Sequence, residues 1–70
     1  MKLTSAQMLI AAAMCEARRV ELKHDSTEDE IEAADFIFNA GIFYLGPEGC
    51  DIAAEQFREM AAGRAALEKP

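Results

Sequence analysis

Two segments of this chain open with the same four-residue device. Thr4-Ser5-Ala6-Gln7 and Thr27-Glu28-Asp29-Glu30 each set a threonine three residues ahead of a Gln or Glu, and each precedes an apolar run. In such a capping box the hydroxyl accepts from the N3 amide while the N3 side chain reaches back to the N-cap amide. Two amides that a helix start leaves orphaned are thereby satisfied. The pair predicts helices over 4–23 and 27–40, with Asp25-Ser26 as the break between them.

Along the first of these, Ala6, Ile10, Ala13, Ala17, Val20 and His24 follow the alternating four-three spacing of a heptad seam, broadened by Leu9. A second apolar patch, Met8, Ala11, Ala12, Cys15 and Leu22, lies on another side. A helix with two apolar faces needs two neighbours, within the chain or across an interface. On the second helix Ile31, Ala34 and Phe38 share a stripe, and Phe36 falls on roughly the opposite side.

The segment after Asn39-Ala40-Gly41 admits two readings. The helix continues, or breaks and resumes, through Ile42-Phe43-Tyr44-Leu45, leaving a segment that is apolar on nearly every side and needs full burial or a partner. Alternatively Gly41 ends it, and residues 42–45 pair with 50–52 as a short β-hairpin around Gly46-Pro47-Glu48-Gly49. We favour the helical reading. A third helix is expected over 51–67, opened by Asp51 or by Gly46 with Pro47 in the first turn. Its inner face is Ala53, Phe57, Met60 and Ala61, with Leu67 added if the helix survives Gly63. Glu55 and Glu59 are placed to pair with Arg58 and Arg64 outside. The fold class is all-α, a small three-helix domain spanning 1–70. The chain is expected to fray at Glu68-Lys69-Pro70.

Seventy residues make a marginal core, which nature usually supplements by disulfides, metals or oligomerisation. Cys15 and Cys50 lack a C-x-x-C spacing and read as two small buried side chains in a reducing cytoplasm, with one disulfide as the alternative. Surplus apolar surface on the first two helices predicts a homodimer through Met8, Ala12, Cys15, Phe36 and Phe43. The start Met1-Lys2-Leu3 superficially resembles a signal peptide, but Glu16, Arg18 and Arg19 follow an apolar stretch too short to span a bilayer.

Charge narrows the partners. Residues 1–24 carry +2, 25–55 carry −9 and 56–70 carry +1; no lysine or arginine lies between Lys23 and Arg58. An acidic centre repels phosphate, which disfavours direct nucleic-acid binding and anionic membrane surfaces. A helix-turn-helix built on 27–44 would offer Asp, Glu and Phe where base readout needs Arg, Lys, Asn or Gln.

No catalytic pattern stands out. His24, the one histidine, suits the C-terminal end of the first helix. Neither Cys15, His24 and Cys50 nor His24 with Asp25, Glu28 and Asp29 has a recognisable metal-ligand spacing, so no metal or cofactor is expected. Gly46-Pro47-Glu48-Gly49 carries a carboxylate where a phosphate loop needs amides and lysine, and reads as a turn. The acidic run Asp25–Asp35 reads either as a well-capped, solvated helix start or as a docking surface for a basic protein. In the second case Glu28, Asp29, Glu32 and Asp35 surround Phe36 as an anchor. The expected function is that of a non-enzymatic protein-binding regulator, an inhibitor or adaptor. An acidic mimic of nucleic acid that blocks a DNA- or RNA-binding protein is the alternative, and a self-assembling structural subunit a further one.

Overall fold

The computed structural model describes residues 3–68; of the expected fraying, Glu68 is instead helical and bonded to Ser5, and Lys69 and Pro70 lie outside the described residues. Three helices follow one another: α1 (Ser5–Ala17), α2 (Glu28–Ala40) and α3 (Gly46–Glu68), with a short 3-10 turn, η1 (Ile42–Leu45), between the last two. The all-α reading holds. No strand occurs among the described residues, so the hairpin alternative is corrected: Ile42–Leu45 winds as 3-10 helix and Gly46-Pro47-Glu48-Gly49 is the first turn of α3.

Both capping boxes form. Thr4 accepts from the Gln7 amide at 3.1 Å, and the Gln7 side chain accepts from the Thr4 amide at 3.0 Å. Thr27 and Glu30 repeat this at 3.2 and 3.0 Å. The first helix stops at Ala17, six residues earlier than the apolar spacing suggests. Arg18 turns into the left-handed region (φ 55°), its amide donating to Cys15 O and the Arg19 amide donating to Met14 O. That closure satisfies two carbonyls of the last turn. Arg18 and Arg19 are good helix formers, so this end is set by the closure and not by local propensity. Gly41 ends α2 in the same manner at φ 65°, a conformation open to glycine at no steric cost.

α3, at 23 residues, is about 35 Å long, and α1 packs along it. The core consists mostly of small residues: Ala11, Ala12 and Cys15 from α1, Ala33, Ala34 and Ile37 from α2, Cys50, Ala54, Phe57 and Ala61 from α3, closed by Leu3 and Ile42. Small side chains let the helices approach closely, at the cost of enclosing little bulk. Phe57 is the largest side chain among them, and Phe36 meets it edge-on with ring centroids 5.8 Å apart. Ion pairs on the outside tie α1 to α3: Arg18 with Asp51 at 3.2 Å, and Glu16 with Arg58. At the far end of α3, Glu68 accepts from the Ser5 amide (3.2 Å) and hydroxyl (3.3 Å). The shortest dimension of the molecule is 19 Å, about two helix diameters. A body two helices thick leaves large apolar side chains outside.

Which face of α1 turns inward is the main correction to the sequence reading. The patch Met8, Ala11, Ala12 and Cys15 packs into the core, whereas the heptad seam faces out: Ala6, Ala13 and Ala17 are exposed and Ile10 only half-buried. Ala12 and Cys15 are therefore spent inside one chain and cannot meet a second copy.

Candidate docking surface

α2 carries the acidic run, and its geometry divides those carboxylates into two groups. Glu30 is held by Thr27, whose amide first and hydroxyl second keep the carboxyl below its usual range. Asp29 is half-buried and accepts from Gln7 Nε2 at 3.0 Å, fastening the start of α2 to the start of α1. These two acids serve the fold. Glu28, Glu32 and Asp35 stand one turn apart on the outer side of α2. None of the three forms a side-chain hydrogen bond or ion pair among the described residues.

The anchor expected among them is elsewhere. Phe36 is half-buried and committed to Phe57; beside it, Asp35, Asn39 and Ala40 border a shallow hollow of about 310 Å³. The exposed aromatic surface lies on the other flank of the same acids. Phe38 follows Asp35 by three residues and Ile31 precedes Asp35 by four, spacings that put all three side by side. Phe38 is 57% exposed and meets Phe43 edge-on at 6.1 Å; η1 adds Tyr44, 95% exposed, and Leu45. Phe43 itself is half-buried. Gly41 and Gly46, both at positive φ, bracket η1 and turn its four apolar residues so that Ile42 is buried, Phe43 packs partly against the core, and Tyr44 and Leu45 stay outside.

The sequence did hold a signal for this patch. A run from Phe36 to Leu45 that is apolar on nearly every side cannot be buried whole by a chain this small. What periodicity could not say is which residues stay outside, because the 3-10 turn resets the angular register after Gly41.

Other candidates resolve simply. His24 lies exposed in the turn after α1, seven residues beyond Ala17, the last residue of the helix whose end it was expected to cap. Cys15 and Cys50 are both buried free thiols; Cys50 Sγ donates to Ile42 O at 3.8 Å. Burial pushes the Cys15 thiol up to about 11, with neighbouring Cys50 adding to the shift. Among the described residues no three His, Cys, Asp or Glu side chains converge on a metal position, and no helix is long and apolar enough to cross a membrane. Comparison with protein-family models, with curated proteins and with solved structures finds no match to this chain.

Proposed function

We propose that the chain is a non-enzymatic protein-binding regulator, an inhibitor or adaptor, that docks a cationic protein surface. The dock is the acidic and aromatic side of α2 and η1. Glu28, Glu32 and Asp35 supply the charge; Phe38, Phe43, Tyr44 and Leu45 supply the apolar contact. The observation that carries this reading is exposed Phe38, one turn from Asp35 and in edge-on contact with Phe43 of η1, in a stretch that also exposes Tyr44 and Leu45 and holds no lysine or arginine. Aromatic anchors inside a charged rim are the usual anatomy of a binding hot spot, and opposite charge on the partner speeds encounter and sets orientation. This differs from the sequence expectation in the anchor, since Phe36 is occupied by Phe57, and in the acids, since Asp29 is engaged by Gln7 within the fold.

The test is affinity capture from native lysate at low and at high salt, using the wild type and two variants. In one, Glu28, Glu32 and Asp35 become Lys; in the other, Phe38 and Tyr44 become Ser. One partner retained by the wild type and lost from both variants, with helical circular dichroism unchanged, supports the reading. A partner that binds all three proteins alike removes it. Adding duplex DNA to the captured complex separates the two kinds of target. Displacement places the protein on a nucleic-acid-binding site, and persistence places it elsewhere on the partner.

A further inference from the structure

The hollow beside Phe36 lies on the flank of the acids away from Phe38, and the dock described above makes no use of it. Its volume is about 310 Å³, and Asp35, Phe36, Asn39 and Ala40 border it. We propose that this hollow receives the guanidinium of an arginine side chain carried by the cationic partner. Such a seat rests on the docking function and names the residue through which the partner is held.

Three features of the hollow favour a cation. Asp35 is exposed and makes no side-chain hydrogen bond or ion pair among the described residues, so its carboxylate is open to one. The Phe36 ring is half-buried and held on Phe57, which orders it before any ligand arrives. A cation beside an aromatic ring is drawn by the ring quadrupole. The hollow also lies on the last turn of α2, at the negative end of the helix dipole, where the chain places no basic residue of its own. Asn39 adds a carboxamide oxygen that can accept from an N–H.

Arginine suits this wall better than lysine. The lining is more apolar than polar, with a single carboxylate at its edge. A guanidinium is weakly hydrated, stacks on aromatic rings and meets a carboxylate with two parallel N–H groups. An ammonium would give up a tighter hydration shell for the same one acid. A second copy of this chain is a poor source of the group. All four of its arginines are already paired: Arg18 with Asp51, Arg19 with Glu21, Arg58 with Glu16 and Arg64 with Glu68. The arginine therefore comes from a different polypeptide.

Titration of the nitrogen-15-labelled chain with an end-blocked Gly-Gly-Arg-Gly-Gly peptide, followed by amide NMR, tests it. Shifts should concentrate at residues 35–40 and saturate with a Kd of about 1 mM, the strength of one exposed charged contact. The same peptide with lysine at its centre should bind about fivefold more weakly, and with neutral citrulline it should give no shifts at 35–40. Asp35→Asn and Phe36→Leu, with the helical spectrum retained, should each weaken binding about fivefold. Glu55→Gln removes an exposed carboxylate on α3 and should change nothing. Shifts scattered over every exposed carboxylate, equal binding of the citrulline or lysine peptide, tighter binding of free L-arginine, or indifference to Asp35→Asn would each overturn the proposal. The lysate capture above fails separately. A captured partner sensitive to charge reversal, with no peptide shifts at 35–40, removes the arginine seat and leaves the dock. Shifts at 35–40, with capture indifferent to charge reversal, remove the dock and leave the hollow as a guanidinium site.

Discussion

The Phe36 ring meets the Phe57 ring edge-on, at 5.8 Å between centroids and 73° between planes. This contact joins α2 to α3 in a core otherwise made mostly of alanine and cysteine. It also withdraws from the surface the aromatic residue that the acidic helix start had marked as an anchor. Phe57→Ala should destabilise the fold by about 3–5 kcal/mol, since the space vacated adjoins short side chains that cannot fill it. Phe36→Leu, which keeps bulk and removes only the ring contact, should cost about 1 kcal/mol. Thermal melts of the two variants check the order.

The two glycines inside α3 should respond to alanine with opposite signs. A methyl at Gly49 would overlap Leu45 Cβ, so η1 would have to shift; Gly49→Ala is expected to destabilise by about 1–3 kcal/mol. Gly63 has open space around its Cα, and Gly63→Ala should stabilise by about 1 kcal/mol through helix propensity alone. Chemical denaturation of both variants reads the difference directly.

Acid should loosen α2 at its start. The Glu30 carboxyl is held below its ordinary 4.5 by the Thr27 amide and hydroxyl. Its contribution to stability is therefore present above 4.5 and is lost as pH falls through the lowered folded value. Glu30→Gln keeps the acceptor without the charge, as Gln7 does in the first box. Its helical signal should fall less steeply with acid than that of the wild type. Thr27→Ala removes the cap and should cost about 1 kcal/mol at neutral pH.

Alkali acts in the core. Burial sets Cys15 at about 11 against an ordinary 9.0. The folded state keeps this proton where the unfolded chain releases it. Stability is thus complete below 9.0 and declines as pH rises toward 11. Maleimide labelling of Cys15 at neutral pH should be slow and should track unfolding, because the thiol is both protonated and out of reach.

Helix starts were more legible in this sequence than helix ends or helix faces. Both threonine boxes are local: four consecutive residues determine the bonds, and no distant contact is needed to interpret them. The end of α1 depended on Arg18 entering the left-handed region, which nothing in an Arg-Arg-Val stretch announces. Its inward face was ambiguous for a physical reason. Ala6, Ile10, Ala13 and Ala17 and Met8, Ala11, Ala12 and Cys15 are comparably apolar, and the choice between them rests with the α3 surface opposite. The acidic run was visible in full, but its division was not. Gln7 claims Asp29 from 22 positions away, and only the packed helices bring those side chains together.

Ser5 and Glu68 touch although 63 positions separate them. The path of the backbone consequently returns to its own beginning, and the molecule is close to a ring. Residue 68 could be joined to Leu3 by a few flexible residues, keeping the Thr4 cap, and new ends opened between Arg19 and Ser26, without parting any helix from its neighbours. Anything fused at either side, whether a fluorescent reporter or a further stretch of polypeptide, departs from one pole.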